Sequence, residues 1–262
     1  MTEFWRSTAL PHLEARRSCQ ENPCYRPHAH DAFSIGAIDA GSSVLTGPLD
    51  GKTRLQPGDV IIIPSGQVHA CNPDRGRWQY QMIHMSPAWA ASLTLPREPN
   101  HLFDGISVLR EPVLHAHVSK INDAIFTDEA AGLLEAQFVA LFTEIEGAAP
   151  AHVVASETDP ELLVRLAPVM HRLRTDESNP VLSELAAVVG MTKYQLIRAM
   201  RRATGLSPLA WRQNARVVRA RRMLQAGRPI AETAHALGFT DQSHFHRVFR
   251  AHVAASPGTY RG

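Results

Sequence analysis

Cysteine is scarce. Cys19, Cys24 and Cys71 are the three in 262 residues, too few and too odd in number for a disulfide framework. Long apolar runs are missing too: no stretch approaches the ~18 uninterrupted apolar residues of a membrane span, so no membrane partner is expected. The opening MTEFWRSTALPHLE has no basic segment followed by an apolar run. No signal peptide is expected, and the chain reads as cytoplasmic. Net charge is small as well, only +2, but that value averages two unlike halves. Residues 178–262 hold thirteen Lys and Arg against three acids (+10), and residues 1–177 hold fourteen against twenty-two (−8). A basic end on an acidic body is the footprint of a nucleic-acid-binding module attached to something else. The alternative is a solvated helical face with Arg stems lying along it. The length favours about two domains.

The basic end contains a repeat. Residues 196–212 and 245–261 correspond at an offset of 49 positions. Leu196 matches Phe245, Arg198 matches Arg247, Met200 matches Phe249, and Arg201 matches Arg250. Further on, Gly205 matches Ala254, Pro208 matches Pro257, Trp211 matches Tyr260, and Arg212 matches Arg261. Each copy follows a short apolar helix pattern, a Gly and a capping residue: ELAAVVGMT (184–192) and ETAHALGFTD (232–241). Helix, Gly turn, basic helix, twice over, predicts two helix-turn-helix units, with double-stranded DNA as the partner.

The N-terminal part alternates short β-rich runs with turn residues. FSIGAI (33–38), SSVLTG (42–47), DVIIIP (59–64) and WQYQMIH (78–84) read as strands. That spacing suits a barrel or sandwich. Period-2 geometry puts Cys24, His28 and His30 on one face if 24–30 is extended, and His69 with Cys71 on another. Trp78, Tyr80, Met82 and His84 share a bulky, amphipathic face suited to lining a small-molecule pocket.

PHAH (27–30), followed by Gly58-x5-Pro64-x-Gly66-x2-His69, resembles the two signature motifs of the cupin barrel. The resemblance implies a barrel with His69 facing its mouth. The candidate effector-binding residues are then His28, His30, His69, Trp78, Tyr80, Met82 and His84. Three imidazoles, His28, His30 and His69, are enough for a divalent metal with an open position, with Cys24 or Cys71 as soft alternates. The cupin metal motif also carries a Glu shortly after its second His, and Ser34 and Ile35 stand there instead. Three readings stay open: a bound metal, histidines hydrogen-bonding an organic effector, and structural histidines. No cofactor is required. No acid/base pair or nucleophile constellation calls for catalysis, so an enzyme is not expected.

Residues 112–125 and 129–146 carry helical stripes: Val113, Leu114, Val118, Ile121 and Ile125, then Leu133, Leu134, Phe138, Leu141, Phe142 and Ile145. Either stripe can pack on the barrel or face a second copy. The wide Leu/Phe stripe of the second favours a homodimer contact. GAAPAHVVASET (147–158) lacks apolar periodicity and reads as a linker. Asp159-Pro160 reads as an N-cap with Pro at the first helical position.

In the first repeat unit Thr192 is the expected N-cap, with Gln195 completing a capping box. Leu196 and Met200 face the core, and Lys193, Tyr194, Ile197, Arg198 and Arg201 face outward. Arg198, with a fork that can bond guanine bidentately, is the lead base reader. Tyr194 and Ile197 suit thymine methyls, and Arg201 phosphate. In the second unit Asp241 caps a helix with Phe245, Val248 and Phe249 in the core. Gln242, Ser243, His246, Arg247 and Arg250 make its outward set, with Gln242 suited to adenine and Arg247 to guanine.

GFTDQSHFHRVFR (238–250) with SPGTYR (256–261) resembles the AraC/XylS family signature, and GLSPLAWR closes the matching first unit. The family prefers Gly where Ala254 stands. The resemblance implies an α+β multidomain chain. Its parts would be a cupin-like effector-binding domain at 1–105, a helical dimerisation segment at 106–147, a linker at 148–158, and an all-α DNA-binding domain at 159–262. It further implies a dimeric, sequence-specific regulator of transcription controlled by a small-molecule effector, and contact with RNA polymerase if it activates. CYRPHAHDAFSIG, VHACNP and RWQYQMIH also look like a subgroup whose genes accompany amino-acid exporters, which implies an amino-acid-like effector. The alternatives are a metal-responsive regulator using the His/Cys cluster and a cupin enzyme fused to DNA-binding repeats.

Overall fold

The computed structural model describes residues 2–21, 25–47, 51–94, 101–103, 105–155, 159–176 and 179–262. Cys24 therefore lies outside the described residues. Among the described residues the N-terminal half is built from ten strands: β1 (Thr2–Arg6), β2 (Glu14–Gln20), β3 (Phe33–Ala40), β4 (Ser43–Thr46), β5 (Lys52–Leu55), β6 (Val60–Ile63), β7 (Ala70–Pro73), β8 (Trp78–Met85), β9 (Gly105–Leu109) and β10 (His152–Ala155). They form an antiparallel seven-stranded sheet, β1-β2-β8-β3-β6-β9-β10, and a three-stranded sheet, β5-β4-β7.

The middle of the large sheet is buried on both faces, which explains its sequence. β6 reads Val-Ile-Ile-Ile because neither face meets water. Ile61 and Ile63 point into the space between the two sheets, with Leu45, Leu55, Trp78 and Tyr80. Val60 and Ile62 point the other way, with Phe33, Ile35, Ile83 and Met85, toward a layer of helices. Those helices are α1 (Pro87–Leu93), α2 (Pro112–Phe126) and α3 (Ala131–Gly147).

The stripe of α3 is thereby covered within the chain. Leu134, Phe138, Leu141, Phe142 and Ile145 are buried in the same core as the sheet, whereas Leu133 is 57% exposed. The expected dimer contact through this stripe is thus replaced by packing on the chain's own barrel. Each such Leu or Phe contributes about 1.5–3 kcal/mol by leaving water. Val113 of α2 is also exposed, at 70%. The segment expected as a linker holds β10, a β-branched run that adds to the sheet edge through Val154 opposite Ile106.

The C-terminal half is helical: α4 (Pro160–Thr175), α5 (Leu182–Val188), α6 (Lys193–Thr204), α7 (Pro208–Gln225), α8 (Ile230–Ala236), α9 (Gln242–Val253) and α10 (Pro257–Arg261). Asp159 caps α4, accepting from the Leu162 amide at 3.0 Å. α5 and α6 pack on α4 through Leu166, Val169, Leu185, Leu196 and Met200. α8, α9 and α10 pack on the far end of α7 through Leu224, Leu237, Phe245, Phe249 and Tyr260. α7 serves both units, so it buries more than one face. Its Arg212 is buried and donates to the Leu173 and Asp176 carbonyls at 3.2 and 2.7 Å, where α4 ends.

Candidate functional site

The two basic helices are set by their ends. At α6 the Gln195 amide donates to Thr192 Oγ1 at 3.3 Å, and the Thr192 amide donates to Gln195 Oε1 at 2.8 Å, a complete capping box. At α9 Asp241 accepts from the His244 amide at 2.6 Å. α6 ends on Gly205 at φ +72°, and α9 ends on Ala254 at φ +53°, in the same left-handed region. The repeat is therefore a repeat of backbone conformation. Only the second copy places a Cβ where Gly is the easy choice.

These ends turn the same side of each helix to water. On α6 Lys193, Tyr194, Arg198 and Arg201 are exposed and Ile197 is half-buried. On α9 Gln242, Ser243, Arg247 and Arg250 are exposed. His246 is half-buried against Phe245, ring centroids 6.2 Å apart, and its Nε2 is buried. It stands back from the face formed by its neighbours.

The second constellation lies between the halves. A cavity of about 60 Å³ is walled on the barrel side by His28, His30, His69, Cys71, Trp78, Tyr80, Met82 and His84. The seven expected effector residues are all brought together there. Sequence reasoning missed other parts of the wall, among them Phe4, Arg16 and Tyr25 from the barrel, and Asn214, Val217, Arg221 and His252 from the helical domain. Arg16 lies in a strand without apolar alternation, and no local pattern marks Arg221 as inward-facing.

The histidines are positioned by backbone. Gly66, at φ +82°, makes the turn after Pro64, and its amide donates to the His30 carbonyl at 2.9 Å. His28 and His69 then exchange backbone hydrogen bonds at 2.9 and 3.0 Å. Each Nδ1 meets an acceptor: Arg26 O for His28 (2.8 Å), Ala32 O for His30 (3.1 Å) and Gln67 O for His69 (3.0 Å). A carbonyl only accepts, so Nδ1 carries the proton and Nε2 keeps its lone pair. His84 Nδ1 pairs with Ser34 Oγ at 2.7 Å. One ligand atom from each of His28, His30 and His69 lies within 4.8 Å of the others.

Burial and mutual repulsion hold these rings neutral. His69 falls to about 4 through burial. His28 and His30 fall well below the usual imidazole range through burial and then their histidine neighbours. His84 does so through burial and then Arg221 and Arg16. The Cys71 thiol is pushed up to about 12 by burial and stays protonated.

Ion pairs and hydrogen bonds tie the two halves together around the cavity. Arg221 of α7 pairs with Glu14 of β2 at 3.0 Å, and Arg6 of β1 pairs with the same carboxylate at 3.1 Å. Arg6 also donates to the Tyr260 carbonyl at 2.7 Å. Arg16 donates to the Val253 carbonyl at 2.7 Å, the Arg26 amide to Ala251 O at 2.8 Å, and the Ala29 amide to Asn214 Oδ1 at 3.1 Å. Asp31 pairs with Arg222.

The comparisons agree with this division. The profile of an AraC-like ligand binding domain matches residues 10–144, and that of a helix-turn-helix domain matches residues 185–262. An HTH-type transcriptional regulator of Bacillus subtilis, YbfI, is 27% identical over 244 residues, covering 89% of this chain and 86% of the relative. The arabinose operon regulatory protein of Salmonella typhimurium is 26% identical over 229 residues, covering 79% and 75%. ToxT from Vibrio cholerae shares the fold over 100% of this chain and 96% of its own, with a TM-score of 0.57 at 14% identity. The chain belongs to the AraC family of transcriptional regulators, with an N-terminal cupin-like ligand-binding domain and a C-terminal helix-turn-helix domain.

Proposed function

We propose that this regulator reads a specific DNA site with α6 and α9 and is switched by a small molecule bound between its two halves. The observation that carries this reading is the shared cavity. Its walls include His69 and Trp78 from the barrel and Arg221 and His252 from the DNA-binding domain. A ligand there touches both halves, so it has different contact energy in each relative arrangement, which is what a switch needs. Arg198 and Arg247 read bases, supported by Tyr194, Ile197, Gln242 and Ser243. Lys193, Arg201 and Arg250 hold phosphates, and His246 contributes from its more sheltered position. The two helices enter the major groove about one turn, ~34 Å, apart. The chain acts as a dimer on DNA, contacts RNA polymerase where it activates, and does no catalysis. Among the described residues no helix is long and apolar enough to cross a membrane.

Thermal-shift screening of the full chain against small metabolites tests the switch. Compounds that stabilise the protein should change its operator affinity. Compounds that bind the cavity and leave operator affinity unchanged would overturn it.

A second reading has its own observation. His28, His30 and His69 each bring one ring nitrogen within 4.8 Å of the others, and each ring has a carbonyl on Nδ1, which leaves Nε2 to ligate. Such backing is the usual support for a metal-binding imidazole. The three nitrogens suit a divalent ion with an open position, without Cys71, which stays a thiol. Zinc uptake at one ion per chain that is lost in His69→Ala, and that alters operator affinity, would favour it. No uptake would dismiss it.

A further inference from the structure

We infer that the ligand of the interdomain cavity is a small organic carboxylate, held by the guanidinium of Arg16. The inference rests on the reading of the cavity as the ligand site and names the ligand's chemistry.

Arg16 is 5% exposed. Its Nε donates to Ser18 Oγ at 2.6 Å and its Nη1 to the Val253 carbonyl at 2.7 Å, but its Nη2 is buried with no acceptor. Among the described residues no carboxylate lies within ion-pair distance of it. The nearby carboxylate, Glu14, is engaged by Arg221, Arg6, Gln225 and the Tyr260 hydroxyl. What surrounds Arg16 is aromatic: the rings of Phe4, Tyr25 and Tyr80 lie 5.1, 5.8 and 5.4 Å from the guanidinium carbon.

A second donor shares the defect. Trp78 Nε1 is buried without an acceptor and lines the same cavity. So the two fully buried polar atoms on this wall without a partner, among the described residues, are donors, set beside the Nε2 lone pairs of His28, His30 and His69. Buried donors of this kind call for an acceptor, and a buried guanidinium calls for an anion. Charge points the same way. The histidines are neutral, and the one carboxylate of Glu14 faces the guanidiniums of Arg6, Arg221 and Arg16, which leaves positive charge in excess. That excess opposes a bare cation and favours an anion. A planar carboxylate fits the fork of an arginine better than a spherical ion does. The wall also has apolar members, Ile63, Met82 and Val217, which suit a short hydrocarbon tail. The cavity volume, about 60 Å³, holds about four waters at roughly 15 Å³ for each, so the tail is a few carbons long.

The same side chain carries the coupling. Arg16 meets the ligand on one nitrogen and the last turn of α9 on another, through Val253 O, one residue before Ala254. A carboxylate that draws the guanidinium toward itself loads the end of the second reading helix directly.

Isothermal calorimetry on the full chain at pH 7.5 tests this with matched pairs: propanoate against propanamide, and butanoate against butanamide. Each pair has nearly the same shape and differs in charge and in one terminal atom, an acceptor oxygen in the acid and a donor NH2 in the amide. Binding of the acid at least about tenfold tighter than the amide is expected. That preference should vanish in Arg16→Met, with folding checked by thermal unfolding. Should that variant fail to fold, the acid-to-amide ratio of the unaltered chain decides. Amides binding as well as acids would overturn the inference, as would an acid preference that survives in Arg16→Met. Uptake of zinc alone, sensitive to His69→Ala, would overturn it too while leaving the cavity a ligand site. If acids, amides and zinc all fail to bind, the reading of the cavity as a ligand site falls with it.

Discussion

The hydroxyl of Tyr260 donates to Oε2 of Glu14 at 2.8 Å, joining α10, near the end of the chain, to β2. The carboxylate is 4% exposed and is completed by Arg221 at 3.0 Å, Arg6 at 3.1 Å and Gln225 at 2.9 Å. Burial pushes the Glu14 carboxyl up, but Arg221, Arg6 and these hydrogen bonds outweigh it and hold it below the usual carboxylate range. Tyr260 is the aromatic of the Pro-x-x-Tyr-Arg ending, so a residue of the DNA-binding signature also anchors the sensor.

Breaking this cluster from its two sides should cost different amounts. Glu14→Gln leaves two guanidiniums without their anion and should destabilise by about 3–5 kcal/mol. Tyr260→Phe removes the hydroxyl that donates to Glu14 and accepts from Arg221 Nε at 3.1 Å and Gln225 Nε2 at 2.8 Å, leaves both ion pairs in place, and should cost about 1.5–3 kcal/mol. Urea denaturation of both variants checks the order. Equal losses would mean that the ion pairs contribute nothing beyond the phenol.

The buried histidines make stability depend on pH in a defined direction. His30, His69 and His84 are buried, and each is held neutral below its unfolded value near 6.5, His69 at about 4. Below about pH 6.5 the unfolded chain takes up protons that the folded chain refuses. Stability is therefore full above that pH and falls as pH drops toward 4, by up to about 1.4 kcal/mol per pH unit for each histidine. Urea midpoints at pH 7.5 and pH 5 should differ accordingly, and His69→Asn should flatten the slope. A midpoint unchanged between the two pH values would contradict the buried, neutral cluster.

Ala254 and Gly205 occupy the same left-handed position at the ends of the two reading helices, φ +53° and +72°. Ala254→Gly should relieve strain and stabilise by about 1 kcal/mol, and Gly205→Ala should destabilise by a similar amount. Chemical denaturation of the pair measures both signs. Destabilisation by Ala254→Gly would show that the conformation carries no strain.

How far the sequence could be read follows from these particulars. The reading helices were legible because their signals are local: Thr192 with Gln195, Asp241, Gly205 and the apolar spacing of Leu196 and Met200. The barrel wall of the cavity was legible because β8 alternates, putting Trp78, Tyr80, Met82 and His84 on one side. The strands β1, β2 and β5 were not, since they carry charges such as Arg16, Arg17 and Lys52, nor were β7, β9 and β10, which run for only four or five residues. The stripe of α3 announced burial but not its partner, because Phe138 and Phe142 look the same against a barrel as against a second chain. The roof of the cavity was illegible for a deeper reason. Arg16 and Arg221 are separated by most of the sequence, and only the docking of the two halves makes them neighbours of one space.

The phosphate-facing arginines should behave unlike the base readers. Arg201→Ala and Arg250→Ala should weaken binding to specific and random duplexes alike, and each should lower the slope of log affinity against log salt by about one. Fluorescence anisotropy across a salt series measures both. A loss confined to the specific duplex would make either residue a base reader instead.

The central claim is that two unequal helices read one site, each through a single arginine. Anisotropy titration at fixed salt measures it, with Arg198→Ala and Arg247→Ala on a duplex selected by the unaltered protein from a random pool and on a random duplex. The account predicts a loss of about 1–3 kcal/mol on the selected duplex for each variant, with random-duplex binding little changed. Selection repeated with each variant should relax a different part of the site. Specific-to-random ratios that stay unchanged in both variants would contradict it.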